Sequence, residues 1–586
     1  MSCSPVASLA SRLIPLQHRS ISQSTATDDT DEPSARVMPA PRSLLAAAFA
    51  FGTALAASSQ GAADTASVIE PADFNVTEAL LEQGVDVSQL PGLSDLTTRS
   101  DLVCSIACNS LKLVFGDAAL DTRGEEAYSN FTGSYWSSNQ AEVSPYCIFK
   151  PSKPADVSVA VLLSRLTQCP FAAKSGGHAA MAGASSIEGG ITISFMNMKG
   201  ITLSADKSIA AIEPGNIWGP VYEELTKSDL SVVGGRLYNI GVGGLTTGGG
   251  ISFFSGVYGW ACDNVESFDV VLANGIIVRA TATQYTDLYR ALRGGGNNFG
   301  LVVSFNLRTI PLAGSEMWGG SRYHTEDTFP AVASAFTNII ANAPEDPKAG
   351  VYIVWSYTSG TKIAIPALYY SEPDAGNATI FSEFNAIANI MDSTQNRVLA
   401  EWGKETMNDS PPGLREVYYV ATTKADAEIL NTALDIFYEA VPAVSDISGI
   451  IPVFVTQGIT VPMLEKMTAN GGNPLGLAAE DGPFYIMQLC AMWDNKEDDD
   501  AVYQFMSGVL DKIKAEARAR GVDNDYVYMN YASQFQNVVG SYGAENVARL
   551  KSISAKYDPQ QVFQKLQPGY FKLDRAPVSD SGYFSF

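Results

Sequence analysis

Three histidines, His18, His178 and His324, are all that this 586-residue chain contains. That scarcity excludes multi-histidine metal centres and most zinc hydrolases, so no metal site is expected. Positive charge is also short: 38 Lys and Arg stand against 62 Asp and Glu, a net charge of −24. So negative a chain repels phosphate backbones, and no nucleic-acid partner is expected. No glycine loop continues into Lys-Ser or Lys-Thr, which removes the triphosphate-binding loop of nucleotide hydrolases. No G-x-S-x-G elbow is present for a triad hydrolase. What the chain has in quantity is apolar residues, 46% with 10% aromatic, and 50 glycines. The first rules out global disorder. The length exceeds a single core and points to two or more folded units.

Residues 1–37 are rich in Ser, Thr and Asp without apolar periodicity and read as a disordered extension. Residues 38–57 read as a secretory signal peptide: Met38 as the working start, Arg42 as a minimal basic region, an apolar run from Leu44 to Leu55, and Ala54-Leu55-Ala56 as the cleavage signal. The run is too short to span a bilayer comfortably, so secretion rather than stable membrane insertion is expected. Four basic residues (Arg12, Arg19, Arg36, Arg42) and four acidic ones (Asp28, Asp29, Asp31, Glu32) precede the cleavage point, so processing leaves the charge at −24. Glycosylation sequons at Asn75, Asn130, Asn377 and Asn408 fit that route, the last weakened by Pro411. The six later cysteines, Cys104, Cys108, Cys147, Cys169, Cys262 and Cys490, permit disulfides of unreadable connectivity.

Residues 63–141 are mixed helical pieces and loop. From 142 the pattern becomes regular. Helices are expected over 156–165, 217–227 and 287–293, and strands over 171–173, 190–195, 209–213 and 301–307. A hairpin over 268–279 is expected to turn on Asn274-Gly275 in type I′ geometry. Residues 316–520 form a different unit, with strands at 351–355 and 362–370 and helices at 327–342, 373–391, 423–441 and 499–520. Residues 521–575 form a closing segment rich in Tyr and Asn.

Three glycine clusters carry the chemistry: Lys174-Ser-Gly-Gly-His178, Gly241-Val-Gly-Gly-Leu-Thr-Thr-Gly-Gly-Gly250 and Arg293-Gly-Gly-Gly-Asn-Asn-Phe-Gly300. Paired glycines let backbone N–H groups converge on an anion with no Cβ in the way. Three such loops in one unit suggest a large ligand containing a pyrophosphate. The second loop is not a strict dinucleotide fingerprint, because Thr246 stands where a glycine is needed. His178 follows Ser-Gly-Gly directly, and an imidazole there suits a covalent tether or an anion contact.

Taken in order, these loops together with Gly259-Trp-Ala-Cys-Asp-Asn-Val265 resemble the FAD domain of the vanillyl-alcohol-oxidase and p-cresol-methylhydroxylase flavoproteins. Tyr528-Met-Asn-Tyr531 and the run from Tyr557 to Gly569 resemble their berberine-bridge-enzyme-like branch, in the style of secreted fungal members. The resemblance implies an α+β fold. A p-cresol-methylhydroxylase-type FAD domain of two α/β subdomains would occupy 142–315, with 63–141 as its N-terminal part. A substrate domain over 316–520 would hold an antiparallel sheet covered by helices, and 521–575 would return to the FAD domain.

It further implies that His178 bonds to the flavin 8α-methyl, that Lys174, Ser175, Gly176, Gly177 and Ala179 form the pyrophosphate loop, and that Gly241, Gly243, Gly244, Thr246 and Thr247 form the second FAD loop. Asp263, Asn264 and Val265 match a segment closing over the adenine side, and Asn530 a flavin contact. The cysteine of doubly attached members is Leu237 here, and a histidine often found after Gly-Gly is Leu245, so a single attachment through His178 is expected. Tyr528 and Tyr531 are candidate bases, and a phenol needs a nearby cation or hydrogen bond to accept a proton near neutral pH. The implied activity is a secreted, monomeric FAD-linked oxidase of a small molecule, passing hydride from carbon to flavin and electrons to O2 to give hydrogen peroxide. One alternative is an oxidative cyclisation or dehydrogenation of a natural product. A more distant one is a flavin-free secreted hydrolase or carbohydrate-binding protein.

Overall fold

The computed structural model describes residues 69–93, 102–358, 360–407 and 410–574. The expected extension and signal peptide, and the Asn408 sequon, lie outside them. The first of three sheets has four strands, in the order Leu120–Thr122, Cys147–Phe149, Ile191–Ser194 and Phe171–Lys174. The last three run parallel. Between Cys147–Phe149 and Phe171–Lys174 the chain crosses over through the helix Pro154–Thr167, which Pro154 starts by fixing φ and which ends at Gln168 in the left-handed region (φ 62°). The helix Val103–Phe115 packs on it. Two disulfides, Cys104–Cys169 and Cys108–Cys147, staple that helix to the sheet, while Cys262 and Cys490 are free and buried.

The second sheet is antiparallel, in the order Ile201–Leu203, Ile209–Ile212, Leu301–Pro311, Val265–Val271 and Ile277–Thr281, with Leu230–Val232 also paired to Leu301–Pro311. The hairpin turn differs from expectation. Among residues 272–276, φ is positive only at Gly275 (78°), whereas a type I′ turn needs it at two central residues. Asn274 spends its side-chain oxygen on the Ile276 N–H at 3.1 Å, so the loop is one residue longer and closes through Gly275 N–H to Leu272 O at 3.0 Å.

The third sheet has nine antiparallel strands. Its long members are Glu316–Thr325, Thr361–Tyr370, Ala349–Thr358, Ile451–Ile459, Phe484–Trp493 and Arg415–Lys424, in that spatial order. Period-2 alternation gives it two unlike faces. Ile353, Trp355, Tyr419, Met487 and Leu489 meet the helices Phe329–Ala341, Ala427–Ala440 and Asp499–Ala519 in one apolar core. Asp426 caps the middle helix by accepting from Glu428 N–H and Ile429 N–H, a contribution of about 1 kcal/mol. The opposite face carries Val354, Ile365, Tyr418, Val455 and Cys490 in a separate cluster with Trp136 and Ala180 of the first unit. Trp493 belongs to the helix side, where its indole N–H donates to Asp499.

The helix expected over 373–391 is a correction. Only Thr379–Ala386 turns helically, and Met391–Asp392 pairs instead with the edge strand Glu316–Thr325. Phe381 and Phe384 reach the core from that short piece while Ile390 stays exposed, so no apolar stripe runs the length a helix would need. The closing segment packs back on the first two sheets. Phe171 N–H donates to Leu566 O, and Lys556 and Tyr557 bond the Asp287 carboxylate.

Candidate active site

The Phe171–Lys174 strand delivers the first glycine loop directly. The second follows Leu230–Val232 and begins the short helix Val242–Thr247. The two loops meet backbone to backbone: a Cβ on Gly176 would lie 2.5 Å from Gly241 N, and one on Gly241 2.3 Å from Gly176 N. Ser175 locks them, its hydroxyl donating to Pro214 O (2.6 Å) and accepting from Gly243 N–H (3.0 Å). The third loop joins through Gly296 N–H to Thr247 O.

Along these loops runs a cavity of about 350 Å³, one wall glycine loops and the other the open face of the nine-stranded sheet. Ser175, Gly176, Gly177, His178 and Ala179 line it, as do Gly241, Gly243, Gly244 and Thr247. The apolar Phe195, Pro214, Leu301, Val302 and Phe305 line it too, and Ser321, Tyr352, Val354, Ile365, Ala367 and Tyr418 line the sheet side.

His178 stacks on Trp136 at 4.2 Å and an interplanar angle of 15°. The residue is half-buried, but its Nε2 is fully covered and has no hydrogen-bond partner among the described residues. Burial pushes the imidazole down to about 3, so the ring is neutral. A neutral ring with an unused nitrogen suits nucleophilic attachment.

The two candidate tyrosines separate. Tyr528 is 1% exposed, and its oxygen accepts from Gly250 N–H, Ile251 N–H and the Asn530 amide at 3.1–3.2 Å. Burial pushes its phenol well up. It is a strut holding the second glycine loop, and Asn530 does the same through Leu245 O. Tyr531 lies edge-on to it at 4.7 Å, and its oxygen accepts from Arg236 Nη2 at 2.8 Å. Both tyrosines and Asn530 line the cavity.

Five residues implied by the resemblance do not line it. Lys174 sits behind its loop, with Nζ 4.7 Å from the centroids of the Phe131 and Tyr135 rings. Thr246 is fully buried. Asp263 forms a buried ion pair with Arg293 at 2.9 Å, and burial raises its carboxyl against the pull of that guanidinium. Asn264 donates to Tyr258 O and Trp260 O, and Val265 opens a strand. Gly300, Leu301, Val302 and Phe305 line the cavity instead. Sequence reasoning missed Arg236, Gln457, Tyr352 and Trp136. The Gly234-Gly235 pair before Arg236 was the one available signal.

The chain matches the FAD binding domain family over residues 145–281 and the berberine and berberine-like family over 527–568, the stretches that carry His178, the second glycine loop and Tyr531. It is 37% identical over 462 residues to FAD-dependent monooxygenase tpcD of Cochliobolus heterostrophus, covering 76% of this chain and 88% of that one. The chain belongs to the berberine-bridge-enzyme-like family of FAD-dependent oxidoreductases. Other members are similar too. The bifunctional solanapyrone synthase of Alternaria solani is 31% identical over 504 residues, covering 85% of this chain and 94% of its own. Among solved structures, berberine bridge enzyme from Eschscholzia californica superposes with a TM-score of 0.67 at 16% identity, covering 81% of this chain and 100% of its own. For 6-hydroxy-D-nicotine oxidase from Arthrobacter nicotinovorans the values are 0.65, 18%, 78% and 97%. Membership sets aside the flavin-free hydrolase and carbohydrate-binding readings.

Proposed function

We propose that this berberine-bridge-enzyme-like protein oxidises a small organic molecule at a carbon bearing a hydroxyl or amine, with FAD held covalently by His178 alone and O2 as final acceptor. The observation that carries the reading is the continuous cavity from the glycine loops, past His178, to Tyr531 and the sheet. The residues fit FAD: the Gly176–Gly241 contact leaves no Cβ in the cradle, Gly244 has open space around its Cα, and the covered His178 Nε2 lacks a partner. Leu237 lines the cavity where a second tether would stand, and neither free cysteine does.

When bound, FAD supplies a two-electron acceptor for hydride. The chain's own residues do the rest. Ser175 to Ala179 with Gly241, Gly243, Gly244 and Thr247 would hold the pyrophosphate, and the apolar Phe195, Pro214 and Phe305 would take the purine. Tyr528 and Asn530 fix the second loop against the closing segment. Val354, Ile365 and Ala367 keep water from the reacting carbon. Acting as the phenolate beside Arg236, Tyr531 would take the hydroxyl or amine proton and become the phenol as hydride leaves carbon, so the substrate loses H⁺ and H⁻ and gains one C=O or C=N bond. Secretion as a monomer is part of the proposal, supported by the two disulfides and by exposed sequon asparagines Asn75, Asn130 and Asn377.

The relatives named monooxygenases favour a second reading in which an oxygen atom enters the product. Peroxide release without incorporation of ¹⁸O from ¹⁸O2 supports the oxidase, and label in the product supports the other. For the tether, acid-denatured protein should keep a yellow flavin peptide, and His178→Ala should shed its flavin into the supernatant. Flavin washing out of the wild type would refute covalent attachment.

A further inference from the structure

Five arginines are buried among the described residues: Arg236, Arg293, Arg322, Arg397 and Arg415. Four of them face a carboxylate, respectively Asp263 for Arg293, Asp392 for Arg322, Glu405 for Arg397 and Asp499 for Arg415. Arg236, at 7% exposure, faces none. Its Nη2 donates to Gln457 Oε1 at 3.0 Å and to Tyr531 Oη at 2.8 Å, and its guanidinium lies 5.0 Å from the Tyr352 ring centroid. The titratable groups acting on it are Tyr531, Tyr369, Tyr352 and Tyr528, all phenols. Despite burial it is held above the ordinary arginine value, so it stays charged.

A buried guanidinium without a counter-charge is costly to keep, and folds retain one where a ligand completes it. Among the described residues Arg236 is the one charged side chain lining the cavity; no described Asp, Glu or Lys does. Its fixed neighbours also define which part of the cavity it serves. Gln457 and Tyr352 stand on paired positions of the Ile451–Ile459 and Ala349–Thr358 strands, and Tyr531 comes from the closing segment. None belongs to the glycine loops that meet the pyrophosphate. Nε and Nη1 donate to no described protein atom. A guanidinium edge with two free N–H groups matches an oxyanion, as a carboxylate or as the oxygens of an enolate.

We propose that Arg236 is the specificity-determining residue of the substrate pocket and that the substrate is an acidic organic molecule, a carboxylate or an enolate, whose oxyanion docks on Arg236 beside Tyr531. The inference rests on the cavity being the substrate site of an FAD enzyme. Gln457 and Tyr531 hold the guanidinium edge-on, and the anchored oxyanion sets which carbon of the substrate lies at the reacting position.

The test is calorimetric titration of the purified holoenzyme with two pairs of probes, benzoate against benzamide and 1,3-cyclohexanedione against cyclohexanone, with flavin content read separately from visible absorption. At least one anionic probe should bind roughly tenfold or more tightly than its neutral isostere, the scale of a charge-assisted hydrogen bond. Which pair discriminates tells a carboxylate from an enolate site. Arg236→Met should abolish the preference and Arg236→Lys should keep part of it. Equal binding of anions and neutral isosteres by the wild type, a test that needs no variant, would overturn the proposal. So would a preference that survives Arg236→Met, or flavin loss in Arg236→Met, which would assign the guanidinium to the cofactor phosphates. A wild type without flavin refutes the cofactor reading instead, and the calorimetry still reports on Arg236.

Discussion

Asp263→Ala separates a structural role from a cofactor role at one residue. In the fold the Asp263 and Arg293 side chains are 2% and 0% exposed. The carboxylate accepts from Arg293 at 2.9 Å, Asn473 at 3.0 Å and Trp260 N–H at 3.0 Å. Removing one partner of a buried ion pair costs about 3–5 kcal/mol, because the other charge is left behind. Arg293 keeps Cys262 O, Ala469 O, Asn470 O and Gly472 O, which pulls its share to the low end, about 3 kcal/mol. The orphaned Asn473 and Trp260 donors add about 1 kcal/mol each, the low end for a stranded donor. Unfolding entropy near 2.1 cal/mol/K per residue over a body of roughly 500 residues converts this total to a Tm drop of about 4–5 °C. Asp263→Asn, which keeps an acceptor but not the charge, should fall between. Scanning calorimetry of the holoenzyme, with the flavin-to-protein ratio measured on the same sample, reads both quantities. The reasoning fails if Tm moves by less than about 1 °C, or if flavin is lost while Tm holds, which would make Asp263 a cofactor residue.

Three further outcomes follow from other contacts of the fold. Tyr531→Phe should slow anaerobic flavin reduction by roughly 10²–10⁴-fold, the range for a lost proton acceptor, with little change in Tm. Tyr528→Phe should do the reverse, since it strands Gly250 N–H, Ile251 N–H and the Asn530 amide at a cost of about 1–3 kcal/mol each if water does not replace the phenol. Stopped-flow reduction beside a melting curve distinguishes the pair, and equal effects on both readouts would contradict the assignment. Cys104–Cys169 closes a loop of sequence separation 65, so its loss should cost about 4 kcal/mol by loop-closure entropy. Cys104→Ser should therefore lower Tm by several degrees, and an unchanged Tm would show that the denatured chain is not restrained by it.

Local patterns carried much of the fold. Pro154 ahead of an apolar run marked a real helix, and Gly paired with Gly marked each loop where two backbones touch. The alternation of residues 351–355 and 362–370 marked strands whose two faces do different work. Reading failed where a single contact outside the residue pattern decided the outcome. The segment 373–391 has helical composition, but its end is captured by the edge strand at Arg322 and Tyr323. The Asn274-Gly275 turn was set by one side-chain hydrogen bond. Among site residues, the motifs named the loops but not which members face the cavity: Lys174, Thr246 and Asp263 to Val265 turn away from it.

By itself the sequence determined the family, the glycine cradle and the histidine beside it, because those depend on backbone space and residue type within a few positions. The tertiary structure alone decided which tyrosine is a strut and which meets Arg236, because Tyr528 meets Gly250 across 278 positions of chain. It also decided that Arg236 pairs with no carboxylate among the described residues, since what surrounds a buried site is a property of everything folded around it. Charge counted along the chain is strongly negative; among the described residues lining the cavity the one fixed charge is positive.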